Sequence, residues 1–152
     1  MKEYAKNYYD HLANLMNLVK FTSKKKSNID FYAGIEMACT LILSQANSGR
    51  KLMFIGNGAS ASISSHMAID FSKNVGIRAL AFNDSALLTC IGNDYGYKHV
   101  FEKPIEMFAD KGDILFAISS SGESENILKG VYIAKSKGCS VITLSGFKDD
   151  NP

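Results

Sequence analysis

The amino-acid sequence predicts an α/β protein with a doubly wound parallel sheet preceded by an N-terminal helical hairpin. Four apolar segments supply the predicted strands: Leu52–Ile55, Ala79–Phe82, Ile114–Ile118 and Val141–Leu144. Segments of helical periodicity lie between them, at about 61–74, 97–109 and 125–137. Because the strands are apolar throughout rather than at every second residue, a parallel sheet with helices on both faces is favoured. The alternation of strands and helices indicates the doubly wound arrangement.

Two helices are predicted before the sheet. Apolar residues at helical spacing predict the first over about residues 2–20, and the second follows a polar loop at 22–28. The second helix ends at Asn47-Ser48-Gly49, and its largely apolar flanks favour cover by another subunit. We expect one domain over residues 1–152, in which 1–48 form the hairpin and 49–152 form the α/β core.

Composition and charge argue against several classes of protein. The formal net charge of +2 is too small to indicate a nucleic-acid partner, and the lysines at 24–26 are interpreted as part of a solvated loop. The N-terminus lacks the apolar core of a signal peptide, and no apolar run reaches membrane-spanning length, so no membrane partner is expected. The three cysteines, Cys39, Cys90 and Cys139, form no CxxC pair. Separated free thiols are typical of a reducing cytoplasm, which is the predicted location.

A glycine-rich loop, GNGAS at residues 56–60, follows the first predicted strand and has three interpretations. A P-loop for a nucleoside triphosphate is excluded, because no lysine follows at the spacing that this motif needs. The permissive dinucleotide fingerprint G-x-G-x-x-G/A is matched, with Asp84 as the acidic partner, although Asp84 lies further along than usual. In the third interpretation, the side chains of Asn57 and Ser60 join backbone amides around a sugar phosphate.

A second loop favours the sugar-phosphate interpretation. Ser119, Ser120, Ser121 and Ser124 follow the third predicted strand and precede the next helix. Serine hydroxyls at a helix N-terminus donate hydrogen bonds to a small dianion, whose charge the helix dipole stabilises. In such sheets, ligands bind outside the carboxyl ends of the strands, where the 56–60 loop also emerges. We therefore expect the two loops to form one site without a nucleotide cofactor.

Three stretches together resemble the signatures of phosphoheptose isomerase, a sugar isomerase (SIS) domain family that acts on sedoheptulose 7-phosphate. They read FIGNGASASISSHMAID, LLTCIGNDYGYKHVFEKPIE and ISSSGESENIL. The resemblance covers roughly residues 30–150 in collinear order. It implies a flavodoxin-like SIS fold and a homotetramer whose active sites are shared between subunits, with the N-terminal helices serving oligomerisation.

The resemblance also implies roles for individual residues. Those that would bind the heptose 7-phosphate are Asn57, Gly58 and Ala59 beside the sugar, Asn93 and Asp94 beside the substrate, and Ser119, Ser120, Ser121 and Ser124 around the phosphate. His66 stands at the position of a family metal ligand. Asp70 stands where the family has a glutamate that acts as base and metal ligand.

His66 and Asp70 also form a candidate pair by their spacing. Four residues apart on one predicted helix, they share a face and could bind one zinc ion. Interconversion of a ketose and an aldose moves a proton between C1 and C2 through an enediolate, which requires a base over the carbon. The resemblance gives that role to Asp70.

The sequence departs from the family pattern at three points. Asp70 is one methylene shorter than glutamate, and Ala59 replaces the third glycine of a GNGGS turn. A histidine and a glutamine that the family carries on a C-terminal helix have no counterpart before Pro152, so we expect C-terminal elements to be missing.

Three functional hypotheses follow from these features. The first is an isomerase that interconverts sedoheptulose 7-phosphate and D-glycero-D-manno-heptose 7-phosphate for bacterial surface polysaccharide. The second is a non-catalytic SIS module that binds a sugar phosphate or bridges protein partners, which the shortened acid and the missing ligands would favour. The third is NAD binding through Gly56–Ala61, which a melting shift with NAD(H) would reveal.

Overall fold

The computed structural model describes residues 1–23 and 27–147, so the lysines at 24–26 lie outside the described residues. Contacts divide the chain into two units, Met1–Leu43 and Ser44–Pro152. The second unit contains the sheet and both glycine-rich and serine-rich loops.

The first unit contains the two predicted N-terminal helices. Helix α1 (Lys2–Leu15) runs into a 3-10 turn at Met16–Leu18, and α2 (Phe31–Asn47) begins in this unit. Between them, β1 (Phe21–Thr22) pairs antiparallel with β2 (Asn28–Ile29), where the sequence predicts only a polar loop. Two-residue strands are too short to show the alternation from which a strand is predicted.

Helix α1 exposes its apolar side chains. The helix contains no buried residue, and Tyr4, Tyr8, Leu12 and Leu15 are all exposed. An exposed apolar stripe of this kind is expected on a surface that another chain covers. The role of the N-terminal helices in oligomerisation stays a prediction.

The second unit contains a parallel sheet at the predicted positions. Its strands are β3 (Leu52–Gly56), β4 (Ala79–Ala81), β5 (Ile114–Ile118) and β6 (Ser140–Leu144). They pair in the order β4-β3-β5-β6, and each pair is parallel. This is the flavodoxin-like order, in which the chain changes direction across the sheet between β3 and β5. The predicted doubly wound fold is confirmed.

The connecting helices differ in detail from the prediction. They are α3 (Ala59–Asp70), continued by a π-helical turn at Phe71–Val75, then α4 (Ser85–Tyr95), α5 (Glu102–Phe108) and α6 (Glu125–Ser136). The predicted helix at 97–109 is divided into a 3-10 turn (Tyr97–His99) and α5. Pro104 lies in the first turn of α5, where the missing N–H has no helical acceptor to lose. Among residues 1–23 and 27–147, none of the helices has the length and apolar character needed to span a bilayer.

Both faces of the sheet are covered, as the continuous apolar strands predict. Met53 and Ile55 belong to a buried cluster with residues of α4, α5 and α6. The alternate residues point to the opposite face, where Phe54 stacks on Phe116 with ring centroids 4.8 Å apart. Phe71, from the end of α3, stacks on Phe54 at 5.8 Å. Helix α3 therefore covers the face opposite to α4–α6.

A buried carboxylate joins β3 and β5 at the amino ends of the strands. Asp113, which is 1% exposed, accepts hydrogen bonds from the backbone N–H of Lys51 at 3.0 Å and of Asp110 at 2.8 Å. The Lys51 ammonium donates to Asp113 at 2.6 Å and to Asp110 at 2.8 Å. A buried charge is tolerated only with such partners, so this cluster fixes where both strands begin.

The same cluster shifts two pKa values. Burial of the Lys51 ammonium lowers its pKa, but the hydrogen bonds to Asp110 and Asp113 outweigh it and hold the pKa above its usual value. The hydrogen bond from Lys51 lowers the pKa of Asp110 below the ordinary 3.8. Because the pKa of Asp110 is lower in the folded state than in the unfolded state, the ionised carboxylate stabilises the fold when the pH is above the unfolded-state pKa. This contribution is lost as the pH falls through the folded-state pKa.

Replacement of Asp113 by asparagine is expected to lower the free energy of unfolding by about 2–4 kcal/mol, because the charge facing the half-buried Lys51 is lost. Urea unfolding at neutral pH measures the change. The matched control is Asp110→Asn, whose side chain is 71% exposed, and its loss should be much smaller. Equal losses in the two variants would contradict the anchoring role of Asp113.

Candidate functional site

The two loops predicted to bind a ligand begin side by side. Strands β3 and β5 pair in register up to Gly56 opposite Ile118, so the next residues along each strand start the loops at the same level of the sheet. Because β3 and β5 lie where the strand order reverses, the crevice beyond their carboxyl ends is the expected ligand site of this fold.

Two glycines shape the first loop. A Cβ at Gly56 would lie 2.6 Å from the backbone carbonyl of Ser60, so only glycine lets the start of α3 approach the strand this closely. Gly58 has φ 54° and ψ −122°, a conformation that side chains rarely adopt. Within residues 1–23 and 27–147, Phe147 is the sole non-glycine residue with positive φ. Ala59 therefore fits its position without backbone strain, although the resemblance places a glycine there.

The serine loop is folded by its own hydrogen bonds. Ser119 is 8% exposed, and its hydroxyl donates to the Ser124 hydroxyl at 3.3 Å. The Ser121 hydroxyl accepts from the backbone N–H of Glu123 at 3.1 Å. Ser120 is exposed, and its carbonyl accepts from Gly146 N–H at 3.0 Å. The structure thus brings the four predicted phosphate-binding serines into one short loop.

Helix α6 begins directly after this loop. Ser124 is its N-cap residue, but the hydroxyl makes no capping hydrogen bond to the helix. The Ile127 N–H donates to Asn126 Oδ1, and the N–H groups before it, with the positive end of the helix dipole, form a favourable environment for an anion. The loop and the helix start together have the chemistry of a phosphate site.

Asn57 has two partners that the sequence-based prediction missed, Asn126 and Tyr97. The amides of Asn57 and Asn126 pair reciprocally, with Asn126 Nδ2 donating to Asn57 Oδ1 at 2.8 Å and Asn57 Nδ2 donating to Asn126 Oδ1 at 3.0 Å. The Tyr97 hydroxyl donates to Asn57 Oδ1 at 3.2 Å. The only signal for Asn126 is a polar residue at the start of an otherwise apolar helix face, and this does not identify its partner.

Asn93 and Asp94 lie near the end of α4, just before Tyr97. Both are exposed, and Asn93 Nδ2 donates to Asp94 Oδ1 at 2.9 Å. The Cys90 thiol contacts Asp94 Oδ2 at 3.6 Å. The segment that carries them is joined to the first loop through Tyr97, so their proximity to a ligand stays a prediction that this placement supports.

His66 and Asp70 are brought together, but away from the loops. His66 Nε2 lies 3.2 Å from Asp70 Oδ2, and Asp70 Oδ1 accepts from Asn74 Nδ2 at 3.2 Å. At about 1.5 Å per helical residue, His66 is about 10 Å and Asp70 about 16 Å along α3 from Ala59. Asp70, the predicted base, therefore lies at the far end of α3 from the glycine-rich loop of the same chain.

The donor set does not fit a zinc site in this chain by itself. Catalytic zinc takes three protein ligands and a water, whereas His66 and Asp70 supply two. In the described part of the chain, no three His, Cys, Asp or Glu side chains lie close enough together to hold a metal ion.

Asp84 has a structural role that explains an aspartate at this position without a bound dinucleotide. It is the N-cap of α4, and its Oδ1 accepts from the backbone N–H of Leu87 at 2.9 Å. Aspartate is among the favoured N-cap residues. The acidic partner that the dinucleotide fingerprint requires is thus engaged in capping a helix.

Comparison with known proteins identifies the family of the chain. A sequence model of the SIS domain matches residues 7–146. The chain belongs to the SIS domain family. Phosphoheptose isomerase of Helicobacter hepaticus is 39% identical over 118 residues, which are 74% of this chain and 60% of that protein. Phosphoheptose isomerase of Cytophaga hutchinsonii is 37% identical over 139 residues, 88% of this chain and 69% of that protein.

A solved structure agrees with this placement in the SIS domain family. The phosphoheptose isomerase GmhA from Neisseria gonorrhoeae superposes with a TM-score of 0.72 at 35% identity, over 76% of this chain and 62% of that one. The family and fold expected from the three signature stretches are confirmed. The chain spans between 60% and 69% of the length of the two curated relatives named above, and the roles of individual site residues stay predictions.

Replacement of Gly56 by alanine is expected to lower the free energy of unfolding by about 1–3 kcal/mol, because the new methyl group overlaps the backbone of Ser60. Thermal or urea unfolding measures the change. The control is Gly92→Ala within α4, where the nearest atom to a Cβ, Val100 Cγ1, is 3.9 Å away. That variant should be unchanged or more stable by up to about 1 kcal/mol. A neutral Gly56→Ala variant would show that the close approach of α3 is not required.

Proposed function

We propose that this protein is a cytoplasmic sugar-phosphate isomerase that interconverts sedoheptulose 7-phosphate and D-glycero-D-manno-heptose 7-phosphate, for bacterial surface polysaccharide. The observation that carries the proposal is the serine loop at the N-terminus of α6, joined to Asn57 by paired amides at the point where the strand order reverses. The matches to proteins named phosphoheptose isomerase supply the substrate class. The three free cysteines suit a reducing compartment.

The phosphate end of the substrate is the better supported half of the proposal. Ser119, Ser120, Ser121 and Ser124 lie within one loop, and the start of α6 adds backbone N–H groups and the helix dipole. Hydroxyl and backbone N–H donors at a helix start suit a ligand that carries one compact phosphate. With the phosphate in this loop, the sugar would extend toward Asn57, Gly58 and Ala59 at the neighbouring strand end.

The reaction end requires a base and a stabilised oxyanion. A proton must leave C2 or C1, and the negative charge of the enediolate must be balanced until the proton returns to the other carbon. Asp70 is the proposed base, and His66, 3.2 Å away, is placed to hold it in orientation. Because α3 carries this pair away from the serine loop of its own chain, the proposal includes a homo-oligomer, expected to be a tetramer, in which a second copy completes the pocket.

A second candidate is a non-catalytic SIS module that binds a sugar phosphate or bridges protein partners. Two properties of Asp70 favour this candidate. Its carboxylate already contacts His66 and Asn74, and its side chain is one methylene shorter than the glutamate expected from the resemblance. The two candidates differ in turnover and agree on sugar-phosphate binding.

Replacement of Asp70 by asparagine is expected to lower kcat for sedoheptulose 7-phosphate by about 100-fold or more, with the Kd changed by no more than about twofold, because the base is lost and its shape is kept. Turnover and binding are measured separately, with divalent metal supplied. The control is Asp84→Asn, since asparagine caps helices as well as aspartate does. Retained turnover in the Asp70→Asn variant would exclude Asp70 as the base. If the wild-type protein bound the sugar phosphate but did not turn it over, the non-catalytic candidate would be favoured.

Replacement of Ser124 by alanine is expected to weaken binding of inorganic phosphate by about tenfold, because a hydroxyl donor to a charged ligand is lost. The increase of the melting temperature with phosphate concentration measures the affinity. Ser136→Ala is the matched control on the same helix, since the Ser136 hydroxyl donates to Ile133 C=O at 2.8 Å at the far end. NAD(H) should produce no melting shift, and a shift with NAD(H) but not with phosphate would reject the sugar-phosphate site.

A further inference from the structure

We propose that Asn126 is a positioning residue that fixes the side-chain amide of Asn57 as a hydrogen-bond donor to the bound sugar. This inference rests on the proposed function and specifies how the sugar half of that site is organised. Asn57 would not donate reliably to the sugar if its side-chain amide were free to turn over, because a reversed amide presents an acceptor in place of a donor.

The orientation of Asn126 is determined by the backbone of its own helix. The side chain is 4% exposed, and its Oδ1 accepts from the backbone N–H of Ile127 at 3.0 Å. A backbone N–H can only donate, so the oxygen of the Asn126 amide must lie on that side. The Nδ2 group of Asn126 is therefore left as the donor toward Asn57.

Asn126 in turn determines the orientation of Asn57. Asn57 Oδ1 accepts from Asn126 Nδ2 at 2.8 Å and from the Tyr97 hydroxyl at 3.2 Å, which uses both lone pairs of that oxygen. One of the two Nδ2 hydrogens of Asn57 is donated to Asn126 Oδ1 at 3.0 Å. What remains for a ligand is the second Nδ2 hydrogen, so Asn57 can act on the sugar only as a donor.

A single fixed donor has a definite chemical preference. It binds an oxygen that accepts, such as a hydroxyl, a carbonyl or the alkoxide-like oxygen of an enediolate, and it stabilises negative charge on that oxygen. Asn126 lies two residues after Ser124, at the start of the helix that faces the phosphate. The serine loop and the Asn57 amide are consequently held in fixed relative positions. An open-chain sugar phosphate would contact the serine loop with its phosphate and the Asn57 amide with an oxygen of its sugar part.

The test separates the sugar contribution from the phosphate contribution. Binding of sedoheptulose 7-phosphate and of inorganic phosphate is measured by calorimetry for the wild type, Asn57→Ala, Asn126→Ala and the double variant, well below their melting temperatures. Asn126→Ala should weaken sugar-phosphate binding by about tenfold and change phosphate binding by less than about twofold. Because Asn126 acts through Asn57, the double variant should bind no more weakly than Asn57→Ala.

Two further variants keep the test independent of folding. Asn126→Asp retains the acceptor for the Ile127 N–H and the shape of the side chain but replaces the Nδ2 donor with an oxygen. Its added negative charge weakens the binding of both phosphate-bearing ligands, so the ratio of the two affinities is the measured quantity, and that ratio should change against sedoheptulose 7-phosphate. Asn83→Ala is the control, since the Asn83 amide donates to Ala61 C=O at 2.8 Å and to the Ser65 hydroxyl at 2.9 Å, outside the pair. It should lower the melting temperature without changing the ratio of the two affinities.

The outcomes are distinguishable. Additive losses in the double variant, or an equal loss of phosphate and sugar-phosphate binding in Asn126→Ala, would overturn the positioning role and leave the proposed function intact. A wild-type protein that binds phosphate but not sedoheptulose 7-phosphate would overturn the proposed function, and the positioning role with it.

Discussion

The parallel pairing of β3 with β5 is the constraint on which the candidate site depends, because it sets the level at which both loops leave the sheet. Gly56 and Ile118 are the last paired residues, and the loops that follow them carry almost every group expected to bind a ligand. At the other end of the same two strands, buried Asp113 binds the backbone of Lys51 and so fixes where they begin. A buried charge therefore holds one end of the pair, and beyond the other end the amides of Asn57 and Asn126 join the first loop to α6.

The residues of the candidate site form two separate groups, one in the loops beyond β3 and β5 and one on α3. A hydrogen bond between Ser119 and Ser124 closes the serine loop, and the paired amides of Asn57 and Asn126 join the first loop to the start of α6. The pair of His66 and Asp70 is equally well formed, but it lies along α3 away from those loops. Asn57 directly precedes α3, whereas Asp70 is the last residue of that helix, so the glycine-rich loop and the proposed base lie at opposite ends of α3.

Much of this was predictable from the sequence, for a physical reason. Fully apolar strands such as Leu52–Ile55 are the signature of a two-sided parallel sheet, and four serines after a strand have few structural uses. The pair of Asn57 and Asn126 was not predictable, because partners 69 residues apart meet only through the fold. The antiparallel pair of β1 and β2 was not predicted because two-residue strands are too short to show periodicity. The division of the predicted helix at 97–109 into a 3-10 turn and α5 was not predicted because the apolar pattern continues through both.

Ala59 illustrates how a departure from a family pattern can be favourable. Its backbone is ordinary, so the methyl group causes no strain in the folded loop. In the unfolded chain, however, an alanine samples far fewer conformations than a glycine, and such an exchange at a compatible position typically stabilises a protein by about 0.4–1 kcal/mol. The exchange consequently lowers the entropy that the chain loses on folding and leaves the conformation at the start of α3 unchanged.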